Sequence, residues 1–417
     1  MSDSDIAPLD PNGPEVTALV ERFARSCSRY GVDRRTVMRW LAVGGAGSVL
    51  AACAEPPIAN DDVTVAAEFV KDPAPFIPHG SHNLETRLDR LDSFITPTGS
   101  FYLRNNSATP RIDAAAYSLS VEGPGVDEPI TLSLDDLQAM PTRTVFAYVE
   151  CGGNQRVFFD LVMGRVATGT QWGTGGVSMA EWTGVPLAEV LRYAGLRDDA
   201  VDVQLIGLDT ESPEQGFRRS IPVAKALDPD TIVAYRMNGA ELPPDHGFPV
   251  RAITPGWVGS ANIKWLGRIE VATESVWSRN NTTSYVLIGD AYPPEGEASG
   301  KVVRLQTIKS ALALPWPARL AAGPQRLRGF AHSPHAPIAE VEWSIDDGAS
   351  WQQAEIIPPV LRYSWVRFEI TWDAPAGSHT ILTRATDASG ETQPDEIPFN
   401  EKGYLFNLPL PHPVSVV

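Results

Sequence analysis

The pattern of the chain changes near Gly300, and this change limits what the chain can fold into. From residue 301 onward, apolar and polar residues alternate in short runs, and turn sequences such as Asp346-Asp347-Gly348 and Ala388-Ser389-Gly390 separate the runs. Alternation with a period of two is typical of strands with one buried face, and Asp-Gly between two such runs favours a hairpin. Residues 301–417 are therefore predicted to form an all-β, immunoglobulin-like sandwich.

Residues 96–300 mix short β-like runs with helical pieces and predict an α+β domain. The clearest helical pattern extends from Ala180 to Tyr193, and Pro186 within it favours a helix that starts there. Residues 54–95, which contain Pro56-Pro57, are predicted to be a linker and an N-terminal extension. The β-like runs are 144–149, 201–208, 232–235, 250–253 and 268–272.

Residues 1–53 have the features of an export signal. The paired arginines Arg34-Arg35 precede an apolar run from Trp40 to Cys53, and its fourteen residues would extend only about 21 Å as a helix, too short to span a bilayer. A basic flank before a short apolar core predicts a signal peptide, and the arginine pair is similar to a twin-arginine signal. Leu50-Ala51-Ala52-Cys53 is similar to a lipobox. The alternative is a buried N-terminal helix that ends in Cys53.

The export signal predicts where the mature protein resides. We expect it in the periplasm or on the outer face of the cytoplasmic membrane, held there by a lipid on Cys53. Residues 1–52 contain six Arg and six acidic residues, so removing them leaves the net charge of −17 on the rest of the chain. Such an acidic chain is not predicted to bind nucleic acid, which is held through clustered Lys and Arg.

Three cysteines are too few for a disulfide scaffold or a multi-cysteine metal site. Cys27 would leave with the leader and Cys53 would be lipidated, so Cys151 remains as the one free thiol of the mature chain. It follows a strand-like run and precedes Gly152-Gly153, which would let the backbone come close to a bulky ligand. A free thiol outside the cytoplasm is prone to oxidation unless it is buried, ligated or catalytic. A metal ligand, a nucleophile and an inert structural thiol remain open at this point.

Six motifs along the chain resemble those of the sulfite oxidase family of molybdopterin enzymes, and they occur in the family's order. The resemblance covers nearly all of the chain after the leader and implies that 96–300 is a molybdopterin-binding catalytic domain and 301–417 a dimerisation domain. The motifs are Phe101-Tyr-Leu-Arg104-Asn105-Asn106, Glu150-Cys151-Gly152-Gly153-Asn154-Gln155-Arg156, Gln171-Trp172-Gly173-Thr174-Gly175, Ala234-Tyr235-Arg236-Met237-Asn238-Gly239, Asp245-His246-Gly247-Phe248-Pro249-Val250-Arg251 and Ile263-Lys264-Trp265-Leu266.

The resemblance assigns roles to individual residues. It implies that Cys151 is the protein ligand of molybdenum, beside the dithiolene of the pterin. Arg104 and Arg156 would form a pocket for an anionic substrate, with Trp172 and Tyr235 as its walls. Tyr235 would also hydrogen-bond to substrate oxygens. Arg362 would supply a third arginine from the sandwich domain. The residues that would bind the cofactor are Arg104, Asn105, Asn106, Cys151, Asp209, His246, Arg251 and Lys264.

The chain departs from the family pattern at two places. Arg104-Asn105-Asn106 stands where Arg-Asn-His is common, and Ala261 stands where eukaryotic members have an arginine. The second difference removes one expected contact to the pterin phosphate. Arg251 and Lys264 are therefore expected to carry more of that binding.

The resemblance implies a molybdenum oxidoreductase that converts sulfite to sulfate by oxygen-atom transfer. It also implies a homodimer and a separate c-type cytochrome that accepts electrons singly, since no haem-attachment sequence occurs in this chain. One alternative within the family is a sulfane dehydrogenase catalytic subunit that acts on protein-bound sulfur. An alternative of another class is a non-catalytic binding module in which Cys151 is structural.

Overall fold

The computed structural model describes residues 69–417. The predictions for the leader at 1–53 and for the first part of the linker lie outside the described residues. In the described part, the chain is mostly β, with 24 strands and five α-helices of four to seven residues. No helix in that part is long and apolar enough to cross a membrane.

The strands and helices have the following bounds. The strands up to residue 302 are β1 (Phe76–His79), β2 (Asn83–Thr86), β3 (Leu103–Arg104), β4 (Leu119–Glu122), β5 (Ile130–Leu132), β6 (Arg143–Glu150), β7 (Val177–Pro186), β8 (Asp202–Gly207), β9 (Arg218–Pro222), β10 (Ile232–Met237), β11 (Ala240–Glu241), β12 (Arg251–Ile253), β13 (Leu266–Ala272), β14 (Val286–Leu287) and β15 (Lys301–Val302). The later strands are β16 (Lys309–Leu312), β17 (Ala318–Leu320), β18 (Gly323–His332), β19 (Ile338–Ser344), β20 (Gln352–Gln353), β21 (Glu355–Ile357), β22 (Val366–Ala374), β23 (Gly377–Asp387) and β24 (His412–Val416). The α-helices are α1 (Leu134–Ala139), α2 (Val157–Met163), α3 (Leu187–Tyr193), α4 (Val223–Ala226) and α5 (Arg279–Thr282). Short 3-10 turns lie at Leu88–Arg90, Thr98–Ser100, Ala114–Ala116, Pro244–His246 and Gly259–Ala261.

Two five-stranded sheets form the body of the molecule. In one, β11, β10, β7 and β6 lie side by side and β12 also pairs with β10. In the other, the order is β5, β4, β13, β8 and β9. An apolar core between the two sheets includes Val185, Leu191, Val203, Val233 and Ile269. The remaining strands before β14 form a small antiparallel sheet, β1–β2–β3, that ends at Arg104.

The body contains less helix than the sequence predicts. Residues 177–186, which include the start of the expected helix from Ala180, form strand β7. Strand β7 pairs with β6 along its length and also pairs with β10. The hydrogen bonds to these two strands outweigh the helical pattern of its sequence. The helix begins only at Leu187, directly after Pro186, as the proline suggests. The body is therefore a mostly β domain with short helices rather than an evenly mixed α+β domain.

The second part of the chain forms two packed, mostly antiparallel sheets, as the alternating pattern predicts. One has the order β16, β18, β22, β21, and the other has β17, β24, β23, β19, β20, where β17 and β24 are parallel. Side chains from both sheets, such as Leu327, Phe368, Trp343 and Ile381, share one buried core. The predicted Asp-Gly turn lies between β19 and β20, with Gly348 at a φ of 82°.

A buried ion pair joins the two parts next to Cys151. Lys309 Nζ on β16 lies 2.6 Å from Glu150 Oε1 at the end of β6, and the two side chains are 2% and 0% exposed. Around the pair, Tyr148 and Met179 of the body pack with Trp365 of the sandwich in one apolar cluster. The sandwich is thus fastened to the strand that leads directly into Cys151.

We expect Lys309→Met to lower the free energy of unfolding by about 3–5 kcal/mol, because it leaves the Glu150 carboxylate buried without its cation. The double variant Glu150→Gln/Lys309→Met should recover most of this loss. Arg192→Met, which breaks an exposed ion pair with Glu189, should cost less than about 1 kcal/mol. Urea unfolding measures all three, and a double variant no more stable than Lys309→Met would contradict the explanation.

Two buried histidines predict a dependence of stability on pH. Burial lowers the pKa of His332 and of His412 to about 4. The unfolded chain binds these protons below about pH 6.5, whereas the folded chain does so only near pH 4. The free energy of unfolding should therefore fall between about pH 6.5 and 4, by up to about 1.4 kcal/mol per pH unit for each histidine. Urea unfolding at several pH values should show a shallower slope in His332→Gln, and an unchanged slope would contradict the role of His332.

Candidate active site

Cys151 lies at the carboxyl end of β6, where the chain turns sharply. Its side chain is 6% exposed, and its backbone N–H donates to the carbonyl of Gly176 at 2.8 Å. A Cβ on Gly152 would lie 2.7 Å from Cγ2 of Val258, and one on Gly153 would lie 2.4 Å from Nη2 of Arg156. Only glycine fits this close approach, so the two glycines place the thiol within a tightly packed turn.

The thiol opens into a cavity of about 720 Å³, a volume that includes its mouth. The 3-10 turns at 244–246 and 259–261 and the residues after Phe101 contribute to its wall. The residues that line it are Phe101, Tyr102, Leu103, Arg104, Asn105, Asn106, Val149, Cys151, Gly152, Asp209, Phe217, His246, Arg251, Gly259, Ser260, Asn262, Ile263, Lys264, Trp265 and Tyr285. All eight residues that the family resemblance implies for the cofactor are therefore brought together around one cavity.

Buried basic groups dominate the polar lining of the cavity. Burial lowers the pKa of Arg251 to about 10. Burial, together with the charge of Arg251, also holds the pKa of Lys264 well below its ordinary value. Burial raises the pKa of Asp209, which is the one carboxylic acid in the lining, whereas the lining holds three Lys and Arg side chains. The cavity therefore favours an anionic ligand.

Two fully buried polar atoms of the lining residues have no hydrogen-bond partner among the described residues. They are Nε of Arg251 and Oγ of Ser260. The other guanidinium nitrogens of Arg251 donate to the carbonyls of His246 at 3.0 Å and Asn262 at 3.1 Å, which fixes the group in place. Unpaired buried donors are costly, so a ligand with acceptor oxygens fits these positions. A phosphate-bearing pterin supplies such oxygens, and the soft thiolate of Cys151 suits molybdenum.

Lys264 and Asn105 hold each other in the cavity wall. Lys264 Nζ donates to Oδ1 of Asn105 and, at 2.9 Å, to the backbone carbonyl of Asp245. Asn105 Nδ2 donates in turn to Oγ1 of Thr109 at 3.0 Å. Asn106 also lines the cavity. Asn105, which matches the asparagine of the family's Arg-Asn-His pattern, thus orients Lys264, whereas Asn106, which replaces the histidine, only lines the cavity.

Arg104 is the arginine that reaches the cavity beside Cys151. Burial opposes its charge, but the neighbouring Tyr285 and Cys151 hold its pKa above the ordinary value. Tyr102 lies close as well, and burial raises the pKa of its phenol well above the usual range, with a further contribution from Cys151. The thiol end of the cavity therefore presents a permanent cation and a phenol that keeps its proton.

Arg156 and Trp172 lie near this end but behind the wall. Arg156 donates from Nε to the carbonyl of Lys402 at 2.8 Å and from Nη1 to that of Thr170 at 2.7 Å, which commits two of its five N–H donors to backbone carbonyls. Trp172 is 1% exposed and packs edge-on against Tyr102 at 6.2 Å. Both support the wall rather than line the cavity.

The structure does not bring Tyr235 or Arg362 to the cavity, and this corrects two expectations. On β10, Ala234 faces the cluster that contains Cys151, so period-two alternation turns Tyr235 to the opposite core. Its hydroxyl pairs with Oγ1 of Thr142 at 3.0 Å. Arg362 is exposed, with its guanidinium 4.5 Å from the ring of Tyr363.

Two tyrosines that sequence reasoning missed lie at the thiol end. The rings of Tyr285 and Tyr404 stack with centroids 5.6 Å apart. The guanidinium of Arg156 lies 5.1 Å from the Tyr404 ring, and that of buried Arg219 lies 5.7 Å from the Tyr285 ring. The four side chains form a column of cation, ring, ring and cation. Its members come from distant parts of the chain, with Arg219 on β9 and the other three outside strands and helices, and the tyrosines carried no motif that could have marked them.

Comparisons with known proteins agree with this geometry. Residues 106–280 match the family model for the oxidoreductase molybdopterin binding domain, and residues 306–409 match that for the Mo-co oxidoreductase dimerisation domain. The chain is 33% identical over 371 residues to mitochondrial sulfite oxidase of Rattus norvegicus, covering 85% of this chain and 66% of the relative, slightly less than two thirds of its length. It is 32% identical over 371 residues to sulfite oxidase of Gallus gallus, covering 84% of this chain and 79% of the relative.

A solved structure is similar over most of its length. The sulfane dehydrogenase SoxCD from Paracoccus pantotrophus superposes with a TM-score of 0.71 at 26% identity, covering 86% of this chain and 92% of that chain. The two family models together span most of the described residues, and the cavity joins a soft thiolate to buried cations. The chain therefore belongs to the sulfite oxidase family of oxidoreductases, which bind a molybdenum–molybdopterin cofactor.

Proposed function

We propose that this protein oxidises sulfite to sulfate and passes the electrons singly to a c-type cytochrome. The observation that carries the proposal is the position of Arg104, which lines the same cavity as the Cys151 thiol and is held there as a cation. The similarity to sulfite oxidases of rat and chicken supports the choice of substrate.

The cofactor and the protein divide the chemistry between them. When bound, the molybdenum cofactor supplies oxygen-atom transfer coupled to two-electron reduction of the metal. Cys151 would bind the metal as a thiolate, and Arg251, Lys264 and Ser260 would receive the phosphate oxygens of the pterin. The protein thereby fixes the cofactor and leaves the thiol end of the cavity for the substrate.

Arg104 would bind the substrate anion. A guanidinium presents forked donors that match the oxygens of a sulfur oxyanion, and it does not deprotonate. Because the chain carries a net charge of −17, an exposed arginine would be screened by salt and neighbouring carboxylates, whereas a recessed one keeps its attraction. Tyr102 would donate its hydroxyl proton in a hydrogen bond to a substrate oxygen, since its raised pKa keeps the phenol protonated.

A sulfane dehydrogenase remains the second candidate, and one observation favours it. Arg156 is occupied by two backbone carbonyls, and the stacked rings of Tyr285 and Tyr404 lie beside Arg104. A pocket that Arg104 lines without Arg156, next to an aromatic wall, suits a sulfur chain of lower charge than a free sulfite dianion. The structural similarity to SoxCD supports this alternative.

We further propose the wider setting of the enzyme from the sequence. Export through the twin-arginine signal, lipid attachment at Cys53 and an immunoglobulin-like fold of residues 301–417 form part of this proposal. The dimerisation family model supports a homodimer. The acidic chain would favour a basic cytochrome, with electron-transfer rates that fall as salt rises.

Purified protein from a host with an intact cofactor pathway should contain about one molybdenum per chain and oxidise sulfite with an artificial electron acceptor. Thiosulfate assayed in parallel separates the two candidates, since turnover of thiosulfate alone would overturn the choice of sulfite. Molybdenum-free protein from such a host would instead indicate a non-catalytic binding module.

Cys151→Ser should retain its fold and pterin but lose turnover, because a hydroxyl is a poorer ligand for the metal than a thiolate.

Arg104→Gln should lower kcat/KM for sulfite roughly 10- to 100-fold, the loss expected for a hydrogen bond to a charged group. Arg362→Gln serves as the matched control and should leave kcat/KM unchanged, because that arginine lies on the surface. Steady-state kinetics on metal-loaded protein measure both variants. An equal loss in the two would refute the assignment of Arg104 and restore Arg362.

A further inference from the structure

The first described residues are fastened to the back of the cavity. The backbone N–H groups of Val70 and Lys71 donate to Oδ2 of Asp245 at 2.9 Å and 2.7 Å. The other oxygen of this carboxylate accepts from Thr109 Oγ1 at 2.6 Å. The carbonyl of Asp245 accepts from Lys264, which lines the cavity. A segment expected to be a linker thus joins the cofactor-binding wall through Asp245.

Lys71 makes a second and more specific connection. Its Nζ donates to the carbonyls of Thr98 at 2.8 Å and Phe101 at 2.6 Å, and it lies 2.8 Å from Nε2 of His246. These three contacts hold the Lys71 amino group, whose pKa burial lowers to about 7, against one nitrogen of the His246 ring. They therefore fix the orientation of the imidazole ring.

The surroundings of His246 keep its ring neutral. Burial, followed by the charges of Lys71, Lys264 and Arg251, holds its pKa well below the ordinary value. The ring lies edge-on to Phe101, with centroids 5.2 Å apart. His246 therefore lines the cavity as a neutral ring whose orientation depends on its contact with Lys71.

We propose that Lys71 is a positioning residue for the pterin cofactor, acting through His246. By holding the ring in one orientation, it would keep the hydrogen bond of His246 to the cofactor in place and slow cofactor loss. Partners that orient a ligating group typically change affinity by 10–100-fold when removed. The proposal rests on the cofactor of the family and not on the choice between sulfite and sulfane substrates.

The test is the rate of cofactor loss from loaded, full-length protein. Samples are incubated, desalted at intervals, and assayed for molybdenum and for the fluorescent oxidation product of the pterin. Lys71→Met should lose both about tenfold faster than the unmodified protein. Lys225→Met is the matched control, because Lys225 is also largely buried and bound to Asp228 and the carbonyl of Pro255, outside the cavity lining. Equal loss rates in Lys71→Met and the unmodified protein would overturn the proposal.

A double-mutant cycle with His246→Phe separates positioning from simple structural support. If Lys71 acts through His246, adding Lys71→Met to His246→Phe should not accelerate cofactor loss further. Multiplying effects would show that Lys71 supports the fold independently and would overturn the proposal. If Lys71→Met does not fold, as judged by melting of the cofactor-free protein, Lys71→Gln replaces it in the same cycle with the same criteria.

Discussion

The geometry around Cys151 depends on the buried carboxylate of the residue before it. The side-chain carboxylate of Glu150 accepts hydrogen bonds from Lys309 Nζ of the sandwich at 2.6 Å and from Asn154 Nδ2 at 2.9 Å. Its backbone carbonyl accepts a hydrogen bond from Gln306 Nε2 at 2.6 Å. Oδ1 of Asn154 also accepts a hydrogen bond from the backbone N–H of Gly176 at 2.9 Å, which closes the turn from its other side. A buried charge with several partners is expensive to disturb, so this network fixes the thiol and couples it to the packing of the two parts.

A second constraint is the excess of buried positive charge in the cavity. Arg251 and Lys264 are held where burial lowers the pKa of both, and Asp209 is the one carboxylic acid in the lining. Their desolvation is unfavourable in the protein alone, and an anionic cofactor offsets it on binding. The protein part of the site is therefore incomplete without its ligand, which explains why unpaired donors such as Arg251 Nε persist in an otherwise closely paired wall.

The sequence predicts the parts of this molecule that local rules determine. Alternation and Asp-Gly turns identify the second all-β part, and the glycines after Cys151 identify the close turn. Strand pairing is not local, and so β7 replaces the start of the helix expected from Ala180. The alternation of side chains along β10 likewise turns Tyr235, at the β-bulge between Ala234 and Arg236, away from the cavity. The motif carrying Tyr235 was identified, but the face it occupies depends on a partner strand far along the chain.

The substrate end of the cavity illustrates the same limit for function. Its shape depends on Tyr285 and Tyr404, which lie in separate loops and meet only through tertiary packing. Arg156 and Arg219 anchor the two outer faces of this stack while backbone carbonyls hold their guanidinium groups. Cation–ring contacts of this kind help to make the stack rigid. The arginine that follows the cysteine motif thus supports the wall of the cavity through its contact with Tyr404. In the function proposed above, the aromatic pair beside Arg104 would then set the selectivity among sulfur substrates.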